Sequence, residues 1–233
     1  MFRFNYSPFE DDIIIVGGKG RGKTTRAKWV LSKISNCPYI IYDYNGLFTG
    51  FGDIVHRVEE LRKGQIVFQP IDRTLPTFIK FCTKIFNDAY KQTLNDIVVV
   101  FDELHQYFKN KNTVIQPYDS IVQTARNYGV SSIHLSTRPA TIPNTTLTNA
   151  NLCFSYGLAN EGDIEWLRGY IGEKAWLLLS RDKRKKLTEE KELTKHSCIF
   201  RHQLEPESQI INCFCGECQQ QRQNFPEVYF EEA

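Results

Sequence analysis

The sequence of 233 residues has no long apolar run. Its longest, residues 13–16 and 97–101, have the length of β-strands, far below the roughly 20 apolar residues that a membrane-spanning helix needs. We therefore expect no transmembrane segment. The first residues also lack the apolar stretch and small-residue cleavage site of a signal peptide, so secretion is not expected.

The sequence also lacks an excess of one charge. It carries 29 Lys and Arg against 27 Asp and Glu, a net charge of +2. This balance excludes the strongly basic composition typical of a protein that coats nucleic acid, so any contact with nucleic acid must come from a local basic patch.

There is no internal repeat and no extreme composition. With 41% apolar and 24% charged residues, the chain is neither a disordered polymer, a collagen-like fibre nor a disulfide knot. Cys37, Cys82 and Cys153 stand singly in apolar surroundings and are predicted to be buried free thiols. Free thiols are typical of a reducing compartment, so we expect a cytoplasmic location.

Strand and helix patterns alternate along the chain. Apolar runs closed by turn residues predict strands, and apolar residues at helical spacing predict helices. The predicted strands cover residues 11–16, 39–43, 65–69, 96–101, 130–136 and 152–156, and the predicted helices cover residues 24–34, 75–94 and 117–128. This order predicts an α/β fold with a mostly parallel sheet and helices on both faces.

The composition changes after residue 180. Residues 181–192 are dense in charge and poor in apolar side chains, which predicts an exposed linker over residues 181–195. A strand candidate at 197–201 and a cysteine cluster follow, so residues 196–233 are predicted to form a small Cys-rich C-terminal appendage. The main domain is then residues 1–180.

A glycine-rich segment follows the first predicted strand and precedes the first predicted helix. It fits the pattern G-x-x-x-x-G-K-[ST], whose backbone N–H groups cradle the phosphates of a nucleotide. Lys23 is expected to reach the β and γ phosphates of ATP, and the Thr24 hydroxyl is expected to bind Mg²⁺. The predicted nucleotide-binding residues here are Gly17, Gly18, Lys19, Gly20, Arg21, Gly22, Lys23, Thr24 and Thr25.

Two carboxylates, Asp102 and Glu103, end the strongest predicted strand. Ligands of open α/β sheets bind at the carboxyl ends of the strands, which places this pair beside the glycine-rich loop. Asp102 is expected to hold Mg²⁺, and Glu103 is a candidate general base that activates water against the γ-phosphate. A cap or a solvated position at the next helix is the alternative for Glu103. The paired acids favour a motor-type ATPase. The extra strand and long helix predicted between Lys23 and Asp102 suit the additional-strand, catalytic-glutamate class of RecA-like P-loop ATPases.

The segment after the acidic pair carries a more specific resemblance. A helix ending in Arg126, Asn127, Tyr128 and Gly129 precedes a strand that closes in Ser136-Thr137-Arg138-Pro139. With Ile142-Pro143, residues 149–151 and residues 163–167, this pattern resembles the HerA/FtsK superfamily of P-loop ATPases over about residues 11–180. The short length looks most like the compact genome-packaging ATPases of tailless icosahedral viruses with internal membranes.

This resemblance implies a homo-oligomeric ring, usually a hexamer, that pumps double-stranded DNA and docks on a capsid or virion vertex protein. Arg126 would then be a finger that reaches into the site of a neighbouring subunit and stabilises charge on the γ-phosphate. The alternative is a local ion pair between Arg126 and a carboxylate of its own subunit.

One position departs from the family pattern. The family's polar strand normally ends in a Gln that senses the γ-phosphate, whereas this sequence has Thr137 and Arg138 there. We expect Thr137 to take this catalytic role, with Arg138 as the alternative. Asp43, at the end of the second predicted strand, is interpreted as structural.

The C-terminal cysteines suggest a metal site. Cys213, Cys215 and Cys218 lie within one hexapeptide, and tetrahedral Zn²⁺ needs a fourth ligand, for which Cys198, His196 and His202 are candidates. Free thiols or a disulfide are the alternatives, because the second paired motif of a zinc ribbon is missing.

Together these features predict an Mg²⁺-dependent, ATP-driven translocase of double-stranded DNA, the genome-packaging motor of a virus. The basic runs at residues 181–186 and 109–112 are candidates for contacts with DNA phosphates. Two alternatives are an ATPase of the filamentous-phage morphogenesis or secretion type and an ATP-dependent assembly switch with low turnover.

Overall fold

The computed structural model of the chain describes residues 6–172, 197–203 and 208–211. Within these ranges no helix is long and apolar enough to cross a membrane. The strands are β1 (Ile13–Val16), β2 (Tyr39–Tyr42), β3 (Asp53–Val55), β4 (Gln65–Phe68), β5 (Ile97–Phe101), β6 (Val130–Ser136), β7 (Leu152–Tyr156), β8 (Cys198–His202) and β9 (Gln209–Ile211). The helices are α1 (Lys23–Lys33), α2 (Leu75–Tyr90), α3 (Gln116–Thr124), α4 (Asn144–Asn149) and α5 (Glu161–Ile171).

All described strands join one sheet, in the order β3-β4-β2-β5-β6-β1-β7-β8-β9. The pairs from β3 to β7 are parallel, and β8 and β9 add antiparallel strands at one edge. Strand β6 lies between β1 and β5, with Ile13 beside Ile133 and Ile97 beside Val130. This inserted strand defines the additional-strand class, so the predicted fold class is confirmed. The inserted strand follows the acidic strand β5 in sequence.

The central strands are buried on both faces, which explains their unbroken apolar runs. Ile13 and Ile15 of β1 pack in one apolar cluster, which α1 covers with Ala27, Val30 and Leu31. Ile14 and Val16 point to the other face, where they belong to the cluster that α2, α3 and α5 cover. Helices therefore cover both faces of the sheet, as the alternation of strands and helices predicted.

Helix α2 is shorter than its sequence pattern. Thr74 caps its first turn, with its hydroxyl accepting a hydrogen bond from the Thr77 N–H, and Pro76 occupies a position where no N–H is needed. The apolar periodicity runs to residue 94, but the helix ends at Tyr90. Gln92 has a φ of 58°, a left-handed conformation that cannot continue a right-handed helix.

Two strands of the predicted C-terminal appendage lie within the described residues. Residues 198–202 form β8, which pairs with β7 in the main sheet and places Phe200 opposite Phe154. The two rings contact each other with centroids 4.9 Å apart. The strand candidate at 197–201 is therefore present as β8, and the sequence did not reveal which edge of the sheet it joins. The division into a main domain and a C-terminal appendage stays a prediction. The predicted linker, residues 181–195, lies outside the described residues.

Candidate nucleotide site

The glycine-rich loop is anchored to the neighbouring strands. The Gly17 N–H donates to the Ser136 carbonyl of β6 at 3.2 Å, and the Gly18 N–H donates to the Gly157 carbonyl after β7 at 2.9 Å. A Cβ atom at Gly17 would lie 2.5 Å from Tyr156 Cβ, so this close approach requires glycine. The loop therefore has a fixed shape at the carboxyl end of β1.

The loop ends at the start of α1 without a side-chain cap. Gly22, the residue before the helix, has a φ of 100°, a left-handed conformation that favours glycine. Gly22 has no side chain that could cap the first N–H groups of α1, and no acidic residue occupies the first turn of this helix. These donors and the positive end of the helix dipole suit an anion such as a phosphate.

Lys23 lies in the interior of the site. Its side chain is buried, and its Nζ donates to the Gly18 carbonyl at a long 3.4 Å. Burial lowers the pKa of Lys23, against the opposing charges of Glu103 and Asp102. An ammonium with one weak hydrogen bond in the protein has donors left for phosphate oxygens.

Asp102 is a buried carboxyl at the end of β5 whose charge is poorly compensated. Its pKa is raised to about 7, first by burial and then by the nearby charges of Glu103 and Asp43. Asn45 Nδ2, 3.5 Å from Asp102 Oδ2, is a distant donor. A divalent cation would compensate the negative charge of Asp102. The Asp102 carboxylate and the Thr24 hydroxyl offer the oxygen ligands that Mg²⁺ prefers. These residues therefore fit the predicted magnesium.

Glu103 has an unusual backbone. Its φ of 49° and ψ of 44° are left-handed, a conformation that costs free energy for any residue except glycine. Burial would raise the pKa of Glu103, but the hydrogen bond with His105 and the charge of Lys23 outweigh it, so the pKa is lowered. The carboxylate is therefore ionised at neutral pH, as a general base must be.

Thr137 lies beside Glu103, because β6 is the neighbour of β5. Its Oγ1 is 3.5 Å from Glu103 Oε2, while Arg138 turns away and has its Nε 3.9 Å from Asp163 Oδ2. The structure thus brings Lys23, Asp102, Glu103 and Thr137 together, as the sequence predicted. Between Thr137 and Arg138, it is the threonine that reaches the candidate base.

His105 belongs to this site but was not predicted from the sequence. Its Nδ1 lies 3.2 Å from Glu103 Oε2, and its Nε2 lies 3.0 Å from Thr137 Oγ1. The only signal in the sequence was a titratable side chain two residues after Glu103. The 3₁₀ turn at Leu104–Gln106 and the left-handed Glu103 bring the ring back onto the carboxylate.

Arg126 lies at the opposite, amino ends of the strands. Its Nη2 donates to Asp12 Oδ2 at 2.9 Å, to Asn151 Oδ1 at 3.1 Å and to the Asn149 carbonyl at 3.3 Å. Asp12 directly precedes β1, so Arg126 is far from the loop of its own subunit. Within one chain, Arg126 makes the local ion pair that was the alternative to a finger.

Asp43 has local partners, in keeping with its structural interpretation. Its Oδ1 accepts from the Leu47 N–H at 2.9 Å, and its Oδ2 accepts from the Phe48 N–H at 3.0 Å. Gln69 Nε2 donates to the same carboxylate at 3.1 Å. Asp43 therefore holds the turn after β2 against the end of β4.

The cysteines are only partly covered by the described residues. Cys82 and Cys153 are buried thiols without a disulfide, as predicted, whereas Cys37 is half-buried. Cys198 lies in β8 with its side chain in the apolar cluster beneath α1. The other predicted zinc ligands, Cys213, Cys215 and Cys218, lie outside the described residues. Within residues 6–172 and the two short C-terminal segments, no group of three or more potential ligands could hold a metal.

Comparison with known proteins places the fold. No protein-family model matches this sequence, and neither does any curated protein sequence. Among solved structures, the chain is similar to the genome packaging NTPase B204 from Sulfolobus turreted icosahedral virus 2 in complex with ATP-γS. The TM-score is 0.68 at 22% identity, and the alignment covers 87% of this chain and 97% of that chain.

Two further solved structures share the fold at lower identity. The pCW3 conjugation coupling protein TcpA has a TM-score of 0.56 at 14% identity, with 88% of this chain and 60% of that chain aligned. EssC (ATPases 2 and 3) from Geobacillus thermodenitrificans has a TM-score of 0.57 at 14% identity, with coverages of 94% and 45%. The chain therefore shares its fold with the NTPase B204, TcpA and EssC.

Proposed function

We propose that this protein is an ATP-driven translocase of double-stranded DNA, the genome-packaging motor of a virus. One observation carries the proposal: the glycine-rich loop, Lys23, the Asp102–Glu103 pair and Thr137 converge at the carboxyl ends of β1, β5 and β6. The likeness to B204, which spans nearly the whole of that NTPase, supports the viral packaging role.

The geometry suits hydrolysis of a bound nucleoside triphosphate. The loop N–H groups and Lys23 would bind the phosphates, and Lys23 would stabilise charge that develops on them. Mg²⁺, held by Thr24 and Asp102, would supply a positive charge at the phosphate oxygens. Glu103 would accept a proton from the attacking water, and its lowered pKa keeps it ready to do so.

Translocation further requires several subunits around the DNA. We assign this chain to a homo-oligomeric ring, a hexamer by analogy with the resembled superfamily, with a capsid or vertex protein as the docking partner in the host cytoplasm. In that ring Arg126 would exchange its bond with Asp12 for the γ-phosphate of a neighbour. Arg126→Ala should then lose activity and regain it in mixed rings with Lys23→Ala subunits. Normal hydrolysis by Arg126→Ala alone would refute the finger role.

An open cleft offers a surface for DNA phosphates. It measures about 780 Å³ and is lined by Lys111, Asn110 and Asn112 after β5, and by Trp166 and Arg168 of α5. Lys111 and Arg168 bring positive charge to it, although Glu165 lies 3.4 Å from Arg168 and offsets part of that charge. The basic run at residues 181–186 lies outside the described residues.

The decisive experiment compares ATP hydrolysis with and without double-stranded DNA. We expect DNA of any sequence to stimulate turnover, and added salt to reduce this stimulation because phosphate contacts release counterions. Lys111→Gln with Arg168→Gln should weaken the stimulation while leaving basal hydrolysis intact. An ATP turnover rate that is the same with and without DNA would contradict translocation and favour a DNA-independent morphogenesis ATPase. Very slow turnover in both conditions would favour the assembly switch.

A structural zinc in the C-terminal segment remains part of this proposal. Three cysteines within a hexapeptide are its support, and Cys198 in β8 is a candidate for the fourth ligand. Zinc content measured on the purified protein should be about one ion per chain, and Cys213→Ser with Cys215→Ser should abolish it. Absence of zinc from the unsubstituted chain would refute the site.

A further inference from the structure

The carboxylate of Glu103 is held from one side by two side chains. His105 Nδ1 lies 3.2 Å from Glu103 Oε2, and Thr137 Oγ1 lies 3.5 Å from the same oxygen. We propose that His105, together with Thr137, is a positioning residue that fixes the rotamer of Glu103, so that its carboxylate can activate the water that attacks the nucleotide. This inference rests on the proposed ATPase function.

The tautomer of His105 follows from its neighbours. Gln106 Nε2 lies 3.1 Å from His105 Nε2, and the Thr137 hydroxyl lies 3.0 Å from that nitrogen. The Glu103 carboxylate can only accept, so the His105 nitrogen that contacts it, Nδ1, carries the proton, and Nε2 of the neutral ring accepts from the Gln106 amide. The single proton of the Thr137 hydroxyl then goes to Glu103 Oε2.

This arrangement leaves one oxygen of Glu103 for water. Among the described residues, the side-chain hydrogen bonds of this carboxylate go to Oε2. Oε1 is thus the oxygen that can take a proton from a water molecule. The bonds to Oε2 restrict rotation of the carboxylate and so fix the position of Oε1.

The backbone of Glu103 makes such support necessary. A left-handed glutamate is held only where surrounding contacts impose it. His105 begins to supply these contacts within the same 3₁₀ turn, and Thr137 adds one from the next strand. The side chains of both Glu103 and His105 are less than one-fifth exposed, so solvent does not screen their contact strongly.

The first test separates positioning from nucleotide binding. His105→Ala should lower kcat ten- to hundredfold, the loss typical of a misplaced catalytic group, while KM for ATP changes by less than about twofold. His105→Asn places an amide N–H near the position of Nδ1–H and should restore part of kcat. His56→Ala, which removes an exposed histidine remote from β5, is the matched control.

The possible results are distinct. A kcat that is unchanged or raised in His105→Ala, or a KM that rises in step with the loss, would overturn the positioning role while the ATPase function stands. An Asn variant as inactive as the Ala variant would overturn the role of the Nδ1–H bond.

A second readout does not depend on hydrolysis. In the nucleotide-free protein, the shifts in thermal midpoint caused by His105→Ala and Glu103→Ala should not add, because both remove the same contact. Additive shifts would refute the contact. If the unsubstituted protein hydrolyses no ATP but the shifts are non-additive, the contact stands and the proposed function fails.

Discussion

Buried polar side chains lie at both the carboxyl ends and the amino ends of the central strands. The two groups differ in how many hydrogen bonds they form within the protein. At the carboxyl ends, among the described residues, Lys23 has one long hydrogen bond, and Asp102 has hydrogen bonds only from Asn45, through its backbone N–H and, at 3.5 Å, through Nδ2. At the amino ends, Asp12 accepts from the Ser132 N–H and the Ser132 hydroxyl, each at 2.6 Å, and from Arg126 at 2.9 Å.

The amino-end network continues into the core. The Ser132 hydroxyl lies 2.8 Å from His134 Nε2, His134 Nδ1 lies 3.2 Å from the Tyr118 hydroxyl, and this hydroxyl lies 2.7 Å from Thr146 Oγ1. Each side chain in this series of hydrogen bonds, from Ser132 to Thr146, has a partner inside the protein. Buried polar groups with hydrogen-bond partners of this kind support the fold. The poorly paired charges near the glycine-rich loop, Lys23 and Asp102, are instead candidates for binding a ligand.

The largest effect should come from Lys23→Met, which keeps the apolar stem and removes the charge. ATP affinity should fall about tenfold to hundredfold, the loss expected from one or two charge-assisted hydrogen bonds. The free energy of unfolding without nucleotide should stay constant or rise, because burial of the ammonium is costly and, among the described residues, Lys23 forms no ion pair that would offset this cost in full. Calorimetric titration with an ATP analogue and urea unfolding measure the two effects. A clear loss of stability would contradict this comparison, because Lys23 would then stabilise the fold as the polar groups at the amino ends do.

The second effect concerns pH and His134. Burial lowers the pKa of His134 from 6.5 to about 3, so the folded protein keeps the imidazole neutral while the unfolded chain protonates it. Stability is therefore complete above pH 6.5 and is lost as the pH falls toward 3, at about 1.4 kcal/mol per pH unit. Urea unfolding at pH 6.5 and 5 should show a loss about 2 kcal/mol larger in the unsubstituted protein than in His134→Gln.

The control for this prediction is His56→Gln, which removes an exposed histidine. It should keep the pH dependence of the unsubstituted protein. If His134→Gln keeps it as well, His134 is protonated in the folded state and the amino-end network is not closed.

The smallest effect should follow from Arg126→Met. Asp12 would lose a partner but keep both bonds from Ser132, and Arg126 is 41% exposed, so solvent weakens the pair. We expect a loss of about 1 kcal/mol in the free energy of unfolding. The loss should shrink when Asp12→Asn is introduced first. An undiminished loss in that background would mean that Arg126 stabilises the fold through its bonds to residues 149 and 151.

Much of the fold could be predicted from the sequence, because the central strands are buried on both faces. Their apolar runs, β1 and β5 above all, have few other interpretations. Strand β3 was missed, since it has three residues, of which Asp53 and Ile54 are exposed. Local patterns also could not reveal that β6 inserts between β1 and β5 or that β8 extends the sheet, because these are contacts between distant segments.

The candidate site divides in the same way. Lys23, Asp102 and Glu103 could be predicted because each lies at a fixed offset from a strand end. Thr137 could be proposed only through a family resemblance, and the strand order then placed it at Glu103. His105 could not be predicted, since its position depends on the left-handed backbone at Glu103. A glutamate in the sequence does not indicate that conformation.

The central claim is that Glu103 acts as the general base for hydrolysis but does not contribute to ATP binding. The most direct measurement is ATP binding and ATP turnover by Glu103→Gln, which keeps the shape and removes the charge. We predict binding within about twofold of the unsubstituted protein and turnover reduced at least about hundredfold, the range for loss of a general base. Turnover that persists in Glu103→Gln, or binding and turnover that fall together, would contradict this account.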